Sequence, residues 1–198
     1  MRSFLAAVAL LATTASAGTL NFNNWCSVPV YIYRSSGGTC NQGPNGICQG
    51  KPGAAPYVLP SGTITRLDWV RDSGTSLKIS KNDASFNSGL LQFEYTWASN
   101  SGIFWDLSDL DGRGPGLVGT PFRNDNVKIS PTGNGSGQGT CVKIRCGAGK
   151  VCLDSYQHPD DPNTRWCPLD TGDMWVDLCQ PEREFNTRKA KREVAFRG

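Results

Sequence analysis

Histidine is nearly absent from this sequence of 198 residues, in which His158 is the only one. A serine or cysteine nucleophile usually needs a histidine base, and the G-x-S-x-G turn that presents a serine nucleophile is also missing. Hydrolases that depend on such a triad are therefore excluded. Transition-metal catalysis has few ligands to use, and no cofactor is expected.

Long hydrophobic runs are lacking too, and the one apolar run of note lies at the N-terminus. It reads F-L-A-A-V-A-L-L-A, follows Arg2 and is closed by the small residues 15–17. This run is far shorter than the roughly 20 residues of a membrane-spanning helix, but it matches a secretory signal peptide. We expect cleavage between Ala17 and Gly18, removal of residues 1–17, and a secreted product, free or at the cell wall, without a membrane segment.

All eight cysteines follow that cleavage site. They are Cys26, Cys40, Cys48, Cys141, Cys146, Cys152, Cys167 and Cys179. An even number of cysteines in an exported chain indicates disulfides, and four bridges allow about 105 pairings, so the connectivity stays open. Zinc bound by Cys141, Cys146 and Cys152 is a weaker alternative, because their spacing is irregular and no histidine lies near. No bound metal is expected.

Basic residues exceed acidic ones, with a net charge of +3, but the excess is local. Residues 182–198 contain six basic and three acidic side chains and include the dibasic pair Lys191-Arg192. The remainder after the signal peptide is close to neutral, so a nucleic-acid-binding face is not expected. We predict one domain over residues 18–181, a monomer, followed by a charged, disordered tail over residues 182–198.

Helical periodicity is also missing before the tail, whereas short apolar runs with β-branched and aromatic residues are common. The eight candidate strands are Leu20 to Phe22, Pro29 to Tyr33, Thr63 to Val70, Ser76 to Ser80, Leu90 to Trp97, Gly102 to Leu107, Asn126 to Ser130 and Thr140 to Arg145. The chain is therefore predicted to be all-β, as a sandwich or a barrel.

Two segments rich in glycine or proline are predicted to be loops. Residues 35–56 contain two cysteines, so a disulfide is expected to hold that segment. Residues 132–139 read T-G-N-G-S-G-Q-G and are typical of a flexible linker. Within this linker Asn134 begins an N-glycosylation sequon, N-G-S. The sequence leaves open whether Asn134 carries a glycan.

Acidic and aromatic residues alternate between Phe93 and Gly112, where Glu94, Asp106, Asp109 and Asp111 lie among five aromatic rings. Carboxylates near apolar surface are costly unless they are paired, hydrogen-bonded, metal-bound or in a solvated cleft. A pair of carboxylates is also the machinery of glycoside hydrolysis. The step from Asp111 to glycine is itself a turn signal, so Asp111 has a structural alternative.

Two further interpretations of this segment stay open. Calcium could bind clustered carboxylates at Asp106, Asp109 and Asp111, although their spacing does not follow the twelve-residue calcium loop. The aromatic rings of Trp97, Phe104 and Trp105 could stack on sugars, or they could face the core, as at least half of such rings in a strand do.

Three blocks of sequence, in order over residues 19–179, resemble thaumatin-like proteins. The opening block is Asn24-Trp25-Cys26 with Val30-Tyr31, the central block is the strand F-E-Y-T-W with the segment Asp106 to Gly112, and the late block is Cys152 to Tyr156 with Pro159 to Cys167. The cysteine count and chain length are most similar to the small fungal branch called antigenic or yeast-phase-specific. The resemblance implies a β-sandwich with disulfide-tied loops and no established reaction.

In the larger family an acidic cleft is associated with β-1,3-glucan binding and, in some members, with weak glucanase activity. The resemblance carries this role to Glu94, Asp106 and Asp111, but it does not place the cleft's arginine or its last aspartate, and Asp109 has no counterpart. We therefore expect a binding protein for cell-wall polysaccharide, with a β-glucan or a host surface protein as partner. The alternatives are a β-1,3-glucanase and a structural, antigenic surface protein.

Overall fold

The computed structural model describes residues 18–36, 41–42, 48–49, 56–82, 89–110 and 119–186. Its strands are β1 (Leu20–Asn24), β2 (Val30–Ser36), β3 (Asn41–Gln42), β4 (Cys48–Gln49), β5 (Tyr57–Leu59), β6 (Ile64–Leu67), β7 (Gly74–Ser80), β8 (Leu91–Ala98), β9 (Gly102–Ser108), β10 (Val127–Gly133), β11 (Ile144–Cys146), β12 (Arg165–Cys167) and β13 (Thr171–Leu178). One short helix, α1 (Glu182–Asn186), follows. In these ranges no helix is long and apolar enough to cross a membrane.

The first sheet joins the two ends of the domain. Its five strands lie in the order β11-β10-β13-β1-β6. The first strand, β1, runs parallel to the last strand, β13, with Leu20 beside Met174 and Asn24 beside Leu178. On the other side of β13, β10 runs antiparallel to it. Strands whose paired residues are 154 apart in sequence, such as Leu20 and Met174, therefore form the centre of this sheet.

The second sheet has six strands in the order β12-β9-β8-β7-β2-β5. Strands β7, β8 and β9 follow one another in sequence and pair antiparallel, so this part of the sheet forms between strands that are neighbours in the chain. A short third sheet pairs β3 with β4. The second sheet carries the acidic and aromatic segment identified in the sequence.

The hydrophobic core lies between the two large sheets, because alternate residues of each strand point inward. Phe22 and Val176 come from the first sheet, and Phe93 and Trp105 come from the second; all four are fully buried. Phe22 and Phe93 meet edge to face with ring centroids 6.3 Å apart. These contacts confirm the predicted all-β sandwich.

All eight expected strands are present, with bounds that differ by a few residues, but the sequence missed five strands among the described residues, namely β3, β4, β5, β12 and β13. Strand β13 is the important omission, because it is the central strand of its sheet. It reads T-G-D-M-W-V-D-L, and its glycine and aspartates are residues that strands usually disfavour.

The prediction of a flexible linker over residues 132–139 is wrong. Gly133 ends β10 and pairs with Thr171 of β13. Gly135 is buried against the same threonine, and a Cβ atom at position 135 would lie 2.1 Å from Thr171 Oγ1. Here glycine serves close backbone packing and does not provide flexibility.

Gly135→Ala is expected to lower the free energy of unfolding by about 1–3 kcal/mol, the usual effect of overpacking. Thr171 cannot move aside easily, since it is 1% exposed and its hydroxyl donates to the carbonyl of Pro168. The measurement is urea unfolding followed by fluorescence. Gly147→Ala is the matched control, because its Cβ would meet only the Lys150 side chain, at 3.5 Å. Equal loss in both variants would contradict the packing explanation.

Three disulfides are present among the described residues: Cys26–Cys179, Cys141–Cys167 and Cys146–Cys152. The zinc alternative is therefore wrong, because all three cysteines that it requires are oxidised. Cys40 lies outside the described residues, and Cys48 belongs to β4. The bridges confirm the disulfide-stabilised sandwich.

The boundary placed at residue 181 is too early. Residues 182–186 form α1, and Phe185 in this helix is 8% exposed. Phe185 also lies under the Arg145 guanidinium, 5.8 Å from the ring centroid. An aromatic residue that packs on the sheet orders the first turn of the predicted tail. The pair Lys191-Arg192 lies outside the described residues.

Candidate functional site

Glu94 and Asp106 lie directly opposite each other on β8 and β9. The turn between the two strands fixes this register, since it also pairs Ala98 with Gly102. Both side chains are on the outer face, because their strand neighbours Phe93 and Trp105 point into the core. Two carboxyl groups that the sequence separates by twelve residues are thus brought together.

These carboxyl groups lie in an open cleft of about 560 Å³ on the outer face of the second sheet. We call it the acidic cleft. Its other lining residues include Ser76, Thr96, Phe104 and Thr164. The ring of Phe104 is 39% exposed and so offers a flat apolar surface beside the carboxyl groups. None of the described residues that line the cleft is basic.

The environment of Asp106 favours its protonated form. Burial, and secondly the charge of Glu94, raise the pKa of Asp106 from 3.8 to about 7. One of its carboxyl oxygens, Oδ1, is buried without a hydrogen-bond partner. At mildly acidic pH the cleft therefore holds a carboxylic acid that can donate a proton beside Glu94.

The aromatic candidates divide between the core and the cleft. Trp105 is fully buried, and Trp97 is 6% exposed and covered by Arg71, whose guanidinium carbon is 4.1 Å from the ring centroid. Neither ring can meet a ligand. Phe104 is the one of the three predicted rings that reaches the acidic cleft.

The three aspartates proposed as calcium ligands do not form a cluster among the described residues. Asp106 lies in the acidic cleft, whereas Asp109 is 1% exposed and its N–H donates to the carbonyl of Tyr156. Burial chiefly raises the pKa of Asp109 to about 7, and the charge of Asp161 contributes. Asp111 lies outside the described residues, in which no group of three metal-binding side chains occurs.

Two other predicted sites lie apart from the acidic cleft. Asn134 is exposed in the turn after β10, an accessible position for a glycan. Gly18 donates its N–H to the carbonyl of Thr171 and accepts from Trp69 Nε1 at 2.8 Å. Ala17 lies outside the described residues. Signal cleavage and glycosylation stay predictions.

Sequence reasoning missed Ser76, Thr96 and Thr164 as neighbours of the carboxyl groups. Thr96 could have been found, since side chains two apart on a strand share a face with Glu94. Ser76 faces Glu94 across β7 and β8, and Thr164 directly precedes β12. Their positions depend on strand pairing that the residue pattern alone does not specify.

Comparison with known proteins agrees with this fold. The family model described as Bys1, Blastomyces yeast-phase-specific protein, matches residues 66–180. Since this is more than half of the chain, the protein belongs to that family of thaumatin-like proteins.

Two relatives are informative. The secreted thaumatin-like protein calA of Emericella nidulans is 35% identical over 118 residues, which are 58% of this chain and 63% of calA. The crystal structure of the protein elicitor MoHrip2 from Magnaporthe oryzae superposes with a TM-score of 0.56 at 25% identity, over 83% of this chain and 100% of MoHrip2. A thaumatin-like xylanase inhibitor gives a TM-score of 0.47 at 11% identity, over 81% of this chain and 99% of the inhibitor.

The protein is extracellular. Its disulfides are bonds that persist outside the reducing cytosol, and its relative calA is a secreted protein. The predicted localisation is therefore confirmed.

Proposed function

We propose that this protein binds a cell-wall polysaccharide, a β-glucan in the first instance, in the acidic cleft. The observation that carries the proposal is the pairing of Glu94 with Asp106 beside the exposed ring of Phe104. Carboxyl groups accept hydrogen bonds from sugar hydroxyls, and an aromatic face packs on the apolar face of a sugar ring. The similarity to MoHrip2, a protein elicitor, supports action at a host surface as well.

Sedimentation with insoluble β-1,3-glucan tests the proposal. The double variant E94Q/D106N keeps the shape of the cleft but loses its acidic groups. We expect the bound fraction at low salt to fall at least tenfold. The variant D160N/D170N is the matched control, because at pH 8, where Asp106 is ionised, it makes the same change in charge at two exposed aspartates away from the cleft. Equal binding by the two double variants would refute a role for the cleft.

A second candidate, β-1,3-glucan hydrolysis, is favoured by the raised pKa of Asp106 beside Glu94. Directly opposed residues have Cβ atoms about 4.5–5.5 Å apart, and retaining glycosidases keep their two carboxyl groups about 5–5.5 Å apart. Asp106 would act as the acid and Glu94 as the nucleophile.

Release of reducing ends from laminarin tests hydrolysis. If the second candidate holds, E94Q and D106N each lower the rate at least 100-fold. The wild-type rate would also decline as the pH rises through 7, because Asp106 then loses its acidic proton. Absence of turnover by the wild-type protein at pH 5 would leave binding as the function.

A further inference from the structure

The outer face of the first sheet carries a second groove, which is larger than the acidic cleft at about 830 Å³. We call it the tryptophan groove. Its floor is formed by β10 and β13, where Ser130 faces Trp175 in register. Trp25, which follows β1, and Glu184 of α1 also line it. The two large sheets pack face to face, so this groove and the acidic cleft lie on opposite sides of the protein.

Two indole rings are held in this groove. Trp25 is 39% exposed, and its Nε1 donates to Asp177 Oδ1 at 3.0 Å. Asp177 is two residues from Trp175 on the same strand face, which is a distance of roughly 7 Å. The hydrogen bond orients the Trp25 ring before any ligand arrives. Pre-oriented aromatic surface lowers the entropy cost of binding.

Two polar groups in the groove have no protein partner. Ser130 Oγ and Gln180 Oε1 are buried, and neither makes a hydrogen bond. Gln180 is 4% exposed. A buried polar atom left without a hydrogen-bond partner destabilises the protein, because it has lost its hydrogen bonds to water. The hydroxyl groups of a ligand would satisfy both atoms.

The charges around the groove nearly balance one another. Its lining includes two lysines and three acidic residues: Lys128, Lys143, Asp173, Asp177 and Glu184. Several of these groups are already engaged by the protein. Asp177 accepts from Asn23 and Trp25, and Asp173 accepts from the N–H and the hydroxyl of Thr19. A strongly anionic ligand would therefore find little excess of positive charge.

From this combination we propose that the tryptophan groove is a separate binding site for a neutral oligosaccharide. The exposed indole of Trp25 and the half-buried indole of Trp175 suit the apolar faces of sugar rings, and the unpartnered Ser130 and Gln180 suit sugar hydroxyls. The groove uses none of the residues of the acidic cleft, so this inference does not rest on the proposed function. A protein with two opposed sites could bind two polysaccharide strands at once.

Isothermal titration of E94Q/D106N with laminarihexaose and with hexa-N-acetylchitohexaose, both neutral, tests the tryptophan groove without the acidic cleft. The protein also carries Asn134→Gln, because the sequon adjoins the lining residues Gly133 and Ser136. We expect one of these hexasaccharides to bind, and W25A to raise its Kd at least tenfold. Trp166→Ala is the matched control, since Trp166 is similarly exposed, at 36%, but lies on β12 of the other sheet.

Ser130→Ala provides a second variant that keeps the indole rings and removes one unpartnered hydroxyl, and we expect a Kd at least threefold higher. Thermal unfolding of each variant checks that it is folded. The proposal is overturned if neither hexasaccharide binds, or if W25A and S130A both bind as tightly as W166A. Because the acidic groups are already removed, these outcomes are independent of the sedimentation test of the cleft.

Discussion

Replacing Cys26 and Cys179 together by alanine is expected to lower the free energy of unfolding by about 4–5 kcal/mol. This bridge joins residues 153 apart, so it closes almost the whole domain into one loop. Replacing Cys146 and Cys152, which are only 6 apart, is expected to cost about 2 kcal/mol. The difference follows from loop length, because a longer loop removes more entropy from the unfolded chain.

Urea unfolding of the two double variants, with the other bridges intact, measures this difference. Both pairs of cysteines are largely buried in the folded protein, which makes them a matched comparison. If the short bridge contributes as much free energy of unfolding as the long one, the effect of each bridge comes from packing in the folded protein and not from the entropy of the unfolded chain.

Asp106→Asn is expected to stabilise the protein at neutral pH. In the folded protein burial and the charge of Glu94 raise the pKa of Asp106 from 3.8 to about 7. Between these two pH values the folded protein holds a proton that the unfolded chain has released, so wild-type stability falls as the pH rises. We expect the variant and the wild type to be equally stable near pH 4, and the variant to be more stable by about 2–4 kcal/mol at pH 8.

Urea unfolding between pH 4 and pH 8 measures the effect, with the exposed Asp160→Asn as control. Asp109, whose pKa burial also raises to about 7, contributes a similar slope that D106N leaves in place. Asp72 and Asp161 do not disturb this window, because backbone hydrogen bonds lower their pKa values and their stabilising effect is lost only below about pH 4. If D106N and the wild type show the same dependence of unfolding free energy on pH, Asp106 is not buried beside the charge of Glu94 as described.

Local pattern was sufficient to predict most of the second sheet. Strands β7, β8 and β9 alternate buried and more exposed side chains and follow one another in sequence. Strand β13 has the same alternation at Met174, Val176 and Leu178. Its aspartates made this alternation hard to recognise as a strand. The parallel pairing of β13 with β1 is a long-range contact, which no local sequence pattern specifies.

The carboxyl groups of the acidic cleft could be predicted from the sequence, but the other residues that line the cleft could not. Glu94 and Asp106 are equally spaced from Asn100 in the turn, so a tight hairpin pairs them. Asp109 shows the limit of this reasoning. Its burial comes from packing against the segment around Tyr156, which lies far away in sequence. The tryptophan groove was missed because the positions of Trp25 and Trp175 in its lining depend on how β1, β10 and β13 pair.

The parallel pairing of β1 with β13 also determines how late in synthesis the first sheet can form. At about 5–20 residues per second, the ribosome needs roughly 8–30 s to add the 153 residues that separate Cys26 from Cys179. During that interval the edges of β1 have only β6 as a neighbour in the finished sheet. A chain that stops before β13 can neither fill the centre of the sheet nor form the long bridge. Synthesis of β13 is thus the step that permits the first sheet to be completed, and products truncated before it remain open to recognition by chaperones and proteases.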